Sequence, residues 1–592
     1  MWIMGSDNGG VPSDGRELWA GDRPVWLAGG HEPLEVRRVH DREHRLAVAG
    51  PCYASDRELE RGLDAVRRGD WRALTHWPGS YWVIADDAQR TVVLTDVAGT
   101  RPVYVTGDRG RVVWSTRAAP LAARTEAGFD YRALAARLVC PTVREVTGNA
   151  TCFAGIERVP GGHLLRVDAR GHRVTPYEPY PAPVPFADTA QELRHALITA
   201  VRVRAAGASH LSSDLSGGLD STSLALLAAR LGGRPLLGVT YDDPDSPNDD
   251  LAYARRAATT EPLIRHSIAT GDALFFDQLA DAPATDQPCA DAARWAMRTT
   301  YHRVAAEQGS DLHLTGSGGD MLLCAPPSYL ADLAARGEMR RLLRHATARA
   351  RLRHLSVHTV LASAVRLSRQ SYPAALRHLA RQVQGPAPAH PAALHWCGRA
   401  TFAAWLTPPA RAQLAEALFN AAEAPQSDQE PLVRQAWNEL DEFGAYQAEL
   451  AIQQAARGLN PHAPFLDNAV VRAVMAMPTA DRQAVTAQKP LLGVALRGLV
   501  PGFILDRPTK GAYDGNAFAG LRRNAEHLRA LVHDSHLARV GVIDSDRVRA
   551  DLDKLLVAGT GPFASLESVV TTEIWLAGHT ARKPAGQVTG RA

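Results

Sequence analysis

Two glycine-rich turns carry the residues of this sequence that are best suited to chemistry. The first lies in SDLSGGLDSTSLALL (213–227), between a strand-like run and an apolar helix-like run, and the second lies in DLHLTGSGGD (311–320). Paired glycines let backbone N–H groups converge, and a helix N-terminus adds partial positive charge. The turns therefore predict a site for a compact, multiply charged anion such as pyrophosphate. The predicted binding residues are Ser216, Gly217, Gly218, Ser221, Gly316, Ser317 and Gly318, with Leu215 and Thr240 at adjacent strand ends.

Each turn is followed by an acidic residue, Asp220 in the first and Asp320 in the second. An anion repels a neighbouring carboxylate unless a cation lies between them, so we expect Asp220 and Asp320 to hold Mg²⁺. Strand-end turns of a parallel sheet lie at one edge, which would bring the two acids together. The alternatives are an ordinary capped helix at the first turn and a flexible Gly/Ser loop at the second.

Lysine is scarce, because only Lys489, Lys510, Lys554 and Lys583 stand among the 66 basic residues. A lysine retained in an arginine-rich chain can mark a place that requires a compact ammonium. Lys510, in RPTKG (507–511), is predicted to approach a phosphate and a developing oxyanion. Lys489 precedes the helix-like PLLGVAL and is the lesser candidate, interpreted as capping or solvating that helix.

The elements around the turns divide the chain into two parts. Residues 46–123 alternate in strand fashion, and the proline-rich YEPYPAPVPF (177–186) is typical of an extended linker. Strand-like and helix-like runs then alternate as far as about residue 330, which predicts a doubly wound parallel sheet. The remainder is mostly helical. We therefore predict an α/β protein with a β-rich domain over 1–180 and a second domain over 181–592.

The composition limits the partners and the compartment. The net charge of +3 on 592 residues gives no reason to expect a nucleic-acid partner. The six cysteines form no CxxC pair and no stretch approaches a membrane span, so a cytoplasmic protein without a membrane partner is expected. Residues 339–415 contain twelve arginines and no acid, which indicates either a solvated surface or a docking face for an acidic partner.

Four ordered motifs resemble those of the asparagine synthetase-like PP-loop ATPases. SGGLDS is similar to the pyrophosphate loop of that superfamily, and GSGGD (316–320) resembles its GEGAD-type loop. GLNPHAPFLD (458–467) is similar to its GVExRxPFLD element, and RPTKG resembles its RxxKxG element. The resemblance implies ATP and Mg²⁺ as cofactors, adenylation of a carboxylate with release of pyrophosphate, and attack by an amine that displaces AMP to form an amide.

The N-terminal part resembles a class II glutaminase, an Ntn-type α+β domain. The resemblance rests on LTHWPGSYWVIADDAQRTVVLTDVAGTRP (74–102). Such enzymes require cysteine as the mature first residue, whereas Trp2 follows the initial methionine here and the first cysteine is Cys52. Thr95-Asp96 also replaces the RD of the family pattern. The domain is therefore expected to be vestigial and unable to hydrolyse glutamine.

Without a glutaminase, the attacking amine would come from the substrate itself. The resemblance then favours a lasso-peptide cyclase, which joins the N-terminal amine of a core peptide to an Asp or Glu side chain. Its partners would be a ribosomally made precursor peptide, a leader peptidase and a leader-binding protein. A β-lactam-synthetase-like ligase acting on a small amino acid is the alternative, although Asn460 stands where that enzyme has its glutamate. A nucleotide-binding scaffold without activity is a third possibility.

The base that deprotonates the attacking ammonium is not identified by the motifs. His462 lies inside the motif GLNPHAPFLD (458–467) and could titrate near neutrality. Tyr446 and Glu449 lie in the helix-like run before it. Each of the three is a candidate catalytic residue. Each also has a plain structural interpretation.

Overall fold

The residue ranges below come from a computed structural model, which describes residues 1–6, 15–21, 23–29, 34–87, 89–108, 111–243, 246, 248–385, 393–425, 427–509, 511 and 514–581. The strands are β1 Trp2–Ser6, β2 Arg16–Trp19, β3 Val25–Ala28, β4 Val36–His40, β5 His44–Ala49, β6 Trp82–Asp87, β7 Arg90–Leu94, β8 Val103–Asp108, β9 Arg111–Ser115, β10 Glu157–Val159, β11 His163–Asp168, β12 Gly171–Pro176, β13 Leu211–Asp214, β14 Leu236–Asp242, β15 Ile264–Thr270, β16 Leu312–Leu314 and β17 Pro461–His462.

The first α-helix lies between β5 and β6 in the sequence, and α-helices make up most of the second half of the chain. They are α1 Asp56–Arg68, α2 Ala118–Thr125, α3 Tyr131–Val139, α4 Arg144–Thr147, α5 Phe186–Gly207, α6 Leu219–Gly232, α7 Asp250–Thr260, α8 Trp295–Glu307, α9 Gly319–Leu323, α10 Tyr329–Ala335, α11 Met339–Leu352, α12 Val357–Ser368, α13 Tyr372–Gln384, α14 Pro408–Glu423, α15 Pro431–Ala456, α16 Asn468–Met475, α17 Pro490–Ala495, α18 Gly502–Leu505, α19 Asp514–Arg523, α20 Ala525–His533, α21 His536–Arg539, α22 Ser545–Ala558 and α23 Phe563–Thr580.

Two antiparallel sheets form the N-terminal part. Their strand orders are β10-β8-β9-β1-β3-β2 and β12-β11-β7-β6-β5-β4, and their inner faces share one apolar core. Helix α1 packs on the outside of the second sheet, and α2 and α3 pack on the outside of the first. The layers therefore run helix, sheet, sheet, helix, because each sheet is apolar on both faces. The β-rich prediction is confirmed.

Helix α1 was not among the elements that the sequence analysis predicted, although a local signal for it exists. Ser55 accepts a hydrogen bond from the N–H of Glu58, and the Glu58 carboxylate accepts one from the N–H of Ser55. This reciprocal capping box is written in the sequence as Ser-x-x-Glu before an amphipathic run. This signal predicts a helix between β5 and β6.

The parallel sheet has the order β15-β14-β13-β16-β17, and every neighbouring pair is parallel. The predicted parallel sheet is therefore confirmed, with β17 as a two-residue edge strand that the sequence did not reveal. The chain moves outward from β13 to β14 and β15, then returns to β16 on the other side. The strand order thus reverses between β13 and β16, where sheets of this kind bind ligands.

The predicted boundary at residue 180 falls in the extended stretch between β12 and α5. Contacts nevertheless cross from the sandwich to the helices of the second part. Arg158 pairs with Asp441 of α15 at 3.1 Å, and the N–H of Val97 donates to Asn468 at 2.9 Å. None of the helices in the described ranges is long and apolar enough to cross a membrane.

Candidate functional site

The first glycine turn connects the end of β13 to the first turn of α6. Gly217 has a positive φ of 78°, and a Cβ on it would lie 2.1 Å from the carbonyl oxygen of Asp250, so only glycine fits. The Ser216 hydroxyl accepts from the N–H of Gly218 at 3.1 Å and lies 2.8 Å from the hydroxyl of Ser221. The turn therefore presents backbone N–H groups and two hydroxyls beside a helix N-terminus, the donor set predicted for pyrophosphate.

The second glycine turn packs directly against the first. A Cβ on Gly316 would lie 2.8 Å from the N of Ser221, and a Cβ on Gly319 would lie 2.5 Å from Cγ of Asp220. Gly318 adopts a positive φ of 91° before α9, while the N–H of Ser317 donates to its neighbour Thr315 at 3.3 Å. Since β13 and β16 are adjacent parallel strands, their end turns meet at one edge, as the sequence analysis expected.

A lysine joins the two acidic residues of these turns. The ammonium of Lys489 lies 2.8 Å from Oδ1 of Asp320 and also contacts Oδ2 of Asp220. Lys489 is 8% exposed and adopts a left-handed conformation, φ 63°, immediately before α17. Burial opposes the charged ammonium, but the two carboxylates outweigh that effect and raise the pKa of Lys489. Lys489 does stand at the helix N-cap position, yet its charge is directed into the site.

The two carboxylates suit a divalent cation as well as an ammonium. Mg²⁺ is commonly held by one or two carboxylates together with substrate phosphate oxygens and water. Asp220 and Asp320 converge on one point beside the first glycine turn, so the residues present fit that ligand set. Within the described residues no group of three or more His, Cys, Asp or Glu side chains could hold a metal alone. Asp220 and Asp320 would thus be two ligands of a Mg²⁺ whose other ligands are phosphate oxygens and water.

The RPTKG element closes over the first turn through its arginine. Arg507 donates to the carbonyl of Gly217 at 2.8 Å and pairs with Asp250 at 2.6 Å. Gly511 lies against the same acid, because a Cβ on it would fall 2.1 Å from Oδ2 of Asp250. Lys510, predicted to approach the α-phosphate, lies outside the described residues. On either side of it, Thr509 donates to Asp249 and Gly511 lies against Asp250.

Leu215 and Thr240 are packed inside the sheet. Leu215 is fully buried, and its N–H donates to the carbonyl of Val239 at 2.8 Å. Thr240, 1% exposed, donates through its hydroxyl to the carbonyl of Leu215 and lies 2.7 Å from the ring of His266. These contacts tie β13 to β14 and give no support to the predicted ligand-binding role of the two side chains.

His462 is enclosed at the junction with the N-terminal part. It is 6% exposed, and Nε of Arg204 donates to its Nδ1 at 3.2 Å. The same guanidinium donates to both carboxylate oxygens of Asp467, at 2.6 and 2.7 Å. Burial and the neighbouring Arg204 hold the pKa of His462 well below its usual value. Arg204 also stacks over Tyr53 of the sandwich. The contacts are those of a structural residue and argue against His462 as the base.

Glu449 and Tyr446 lie one turn apart on α15. Glu449 is 1% exposed and accepts from the N–H of Asp286 at 2.7 Å. Burial, followed by repulsion from the Asp286 carboxylate, raises the pKa of Glu449 to about 8. Burial likewise raises the pKa of Tyr446, with Asp291 contributing. Glu449 is thus a carboxyl group with the affinity for protons that a base near neutral pH requires, but it is enclosed by protein.

A polar cluster at the end of β13 was missed by the sequence analysis. The hydroxyl of Tyr301 donates to Asp214, and Nε2 of His313 lies 2.9 Å from the same carboxylate oxygen. Burial opposes ionisation of Asp214, but these two hydrogen bonds lower its pKa overall. Asp214 directly precedes LSGGLDS, so its position was a usable signal. Tyr301 on α8 and His313 on β16 carried none.

With this geometry in place, comparisons with known proteins identify the family. Residues 192–577 match the asparagine synthase family, and the chain belongs to it. Members of that family are ATP-dependent amide ligases. The carboxyethyl-arginine beta-lactam-synthase of Streptomyces clavuligerus is 30% identical over 203 residues, covering 33% of this chain and 37% of that protein. The amidase chyE of Penicillium rubens is 24% identical over 292 residues, covering 44% and 42%.

The chain therefore spans less than half the length of either curated relative. Among solved structures, glutamine phosphoribosylpyrophosphate amidotransferase from B. subtilis matches 50% of this chain and 68% of its own, at 10% identity and a TM-score of 0.18. The allosteric regulatory enzyme of purine biosynthesis matches 42% and 67%, at 12% identity and a TM-score of 0.17. TM-scores this low do not establish a shared fold, so the N-terminal fold is described by its own strand order and layers.

Proposed function

We propose that the protein is an ATP-dependent ligase that closes a macrolactam in a ribosomally made peptide. The carboxylate of an Asp or Glu side chain would be adenylated, and the N-terminal amine of the same peptide would then displace AMP. The observation that carries the first half of this proposal is the convergence of Asp220, Asp320 and Lys489 on one point beside the pyrophosphate turn.

The residues of the two turns have distinct roles in the proposed adenylation. Backbone N–H groups and the hydroxyls of Ser216 and Ser221 would hold the leaving pyrophosphate. Asp220 and Asp320 would hold Mg²⁺, which offsets phosphate charge when bound. Lys489 would supply a fixed positive charge at the same place, and Lys510 is proposed to stabilise the charge that develops on the reacting carbonyl.

The source of the amine supports an intramolecular reaction. Burial raises the pKa of the Cys52 thiol to about 12, so this thiol of the N-terminal part is not an activated nucleophile. Asn460, which replaces the glutamate of the β-lactam enzymes, donates its amide to the carbonyl of Asp311 at 3.1 Å and offers no base. An amine within the substrate is then the simplest nucleophile. An enzyme that holds the amine and the activated carboxyl of one peptide together makes the reaction effectively unimolecular.

A small-substrate ligase is the second candidate, favoured by the 30% identity to the beta-lactam-synthase.

The experiment that separates the peptide cyclase from the small-substrate ligase incubates the full chain with ATP and Mg²⁺ and either a synthetic core peptide or a carboxyethyl amino acid. We expect AMP, pyrophosphate and a peptide lighter by one water. Turnover of the small substrate alone would replace the proposal with the second candidate. ATP–pyrophosphate exchange without any amide product would leave adenylation standing and overturn the cyclisation step.

The peptide-processing partners are part of the same proposal. A cyclase that acts on a core peptide needs a peptidase to free the N-terminal amine and a protein to deliver the precursor. Adding the leader-bearing precursor in place of the core peptide should therefore give no cyclic product. Cyclisation of the intact precursor would contradict the requirement for a peptidase.

A further inference from the structure

Helix α11 presents a row of three arginines to the solvent. Arg340, Arg344 and Arg351 are exposed and, at 100° per residue, fall within about 40° of one another around the helix. With a rise of about 1.5 Å per residue they extend over about 16 Å of helix. Among the described residues none of the three has an ion-pair partner, whereas Arg341 beside them pairs with Asp481 at 2.6 Å. We name these three residues the basic row.

Large apolar side chains flank the basic row. Met339 and Leu343 lie on one side and are 55% and 53% exposed, and Leu352 lies on the other side and is 76% exposed. The opposite face of α11 is already buried in the core through Leu342, His345, Ala346 and Ala350. Met339, Leu343 and Leu352 therefore lie outside the core that the buried face of α11 helps to form. A helix that has satisfied its core and still exposes leucine and methionine beside a line of cations has the composition of a docking face.

The surroundings make the row electrostatically unfavourable in the isolated chain. Residues 339–415 carry twelve arginines and no acid, while the whole chain has a net charge of +3, so the remainder has a net charge of −9. Burial and the neighbouring Arg353 lower the pKa of Arg349, and burial with Arg341 and Arg344 lowers the pKa of His345. Like charges one helical turn apart repel each other. A partner that brings carboxylates would relieve this repulsion.

We propose that the outward face of α11 binds an acidic amphipathic helix of a partner protein. Carboxylates spaced along one face of that helix would pair with the basic row, and its apolar residues would cover Leu343 and Met339. Guanidinium groups favour carboxylates because two parallel N–H donors match two oxygens. A symmetric second copy of this chain is disfavoured, since it would place the row against itself. A nucleic acid is disfavoured by the net negative charge of the remaining chain and by the exposed leucines.

The proposal is tested with the full chain and a synthetic helical peptide, without ATP, so its outcome is independent of the proposed ligase activity. The probe has leucines at three- and four-residue spacing and glutamates along the flank, and the control peptide has lysines in place of those glutamates. We expect the glutamate peptide to bind and the lysine peptide not to bind. The variant R340E/R344E/R351E should weaken binding by about tenfold or more. L343S should weaken it without changing the charge.

The matched control is R57E/R61E/R68E, which reverses three exposed arginines of α1 and should leave binding unchanged. Circular dichroism checks that each variant is folded. Equal binding of both peptides, or equal loss in the α1 control, would overturn the proposal. The proposal would also be overturned if the glutamate peptide does not bind while duplex DNA, or phosphatidylcholine vesicles containing phosphatidylserine, binds in a way that depends on the basic row. Self-association that disappears in R340E/R344E/R351E would assign the face to a second copy instead.

Discussion

Lys489 is the residue on which the charge balance of the site depends. It brings one ammonium to two carboxylates that belong to separate glycine turns. A compact ammonium with three donors can contact both acids at once, whereas a planar guanidinium requires a wider space. This need accounts for a lysine in a chain that uses arginine for nearly all of its positive charge. Without it, two carboxylates would face each other beside an anion site.

Replacing Lys489 by methionine should remove this charge while keeping most of the side-chain length. We expect Lys489→Met to lower the rate of ATP–pyrophosphate exchange by about 100-fold, the usual cost of losing one electrostatic donor in an active site. The matched control is Lys554→Met, since Lys554 is exposed on α22 and should be neutral. A rate for Lys489→Met within twofold of the parent would mean that the ammonium has no part in adenylation.

The same residue shows what sequence could predict at this scale. Asp220 and Asp320 were predictable because each ends a motif that follows a strand, and parallel strand ends meet. For Lys489 the sequence predicts only a lesser candidate that caps or solvates a helix end, since its local signal is the apolar helix after it. Its long-range contacts depend on the path of the chain between α16 and α17, which no spacing reveals. The roles of Arg507, Tyr301 and His313 were hidden for the same reason.

The strands and turns around the site work as one element. β13 and β16 are neighbours at the point where the strand order reverses, and their end turns approach so closely that Gly319 lies against the carboxylate of Asp220. The alternation of strand-like and helix-like runs was enough to predict the parallel sheet. The strands were recognisable because strands buried on both faces are continuously apolar. The two-residue β17 could not be predicted from Pro461 and His462, since such a short strand has no periodicity.

Gly319→Ala should therefore disturb the site although alanine favours a helix. The added Cβ would lie 2.5 Å from Cγ of Asp220, so the carboxylate that contacts Lys489 must shift. We expect ATP–pyrophosphate exchange to fall by about tenfold or more, since small displacements of catalytic groups are costly. Gly493→Ala in α17 is the control, because nothing lies within 4 Å of its added Cβ. Equal activity of the two variants would show that the second turn tolerates a shift of Asp220.

At the scale of the whole molecule, the N-terminal part is held to the second part of the chain by buried polar contacts. A Cβ on Gly444 of α15 would lie 1.8 Å from the carbonyl oxygen of Ala98, so the two parts meet backbone to backbone. Arg117, at the start of α2, pairs with Asp286 at 2.7 Å, and the N–H of Asp286 donates to Glu449 of α15. The loop that resembles a glutaminase motif thus has a structural use here. The sequence indicated the motif but not its docking partner.

Glu449 should make the stability of this junction depend on pH. Its pKa in the folded protein is about 8, raised from 4.5 by burial and by the Asp286 carboxylate. Between those two values the folded state keeps a proton that the unfolded state has lost, so the free energy of unfolding must fall as the pH rises from about 4.5 to about 8. Above about 8 both states are ionised, and this contribution no longer changes.

Glu449→Gln keeps the acceptor for the N–H of Asp286 but cannot ionise. We expect the variant to lose less stability than the parent between about pH 5 and pH 8, by at least about 1.4 kcal/mol, which corresponds to one pKa unit. Urea unfolding of both proteins at several pH values measures the difference, and it cancels the titration of all other groups. Glu60→Gln, at an exposed position on α1, should follow the parent. Parallel pH profiles for Glu449→Gln and the parent would mean that Glu449 is ionised in the folded protein, and the junction would then carry a second buried negative charge beside the Arg117–Asp286 pair.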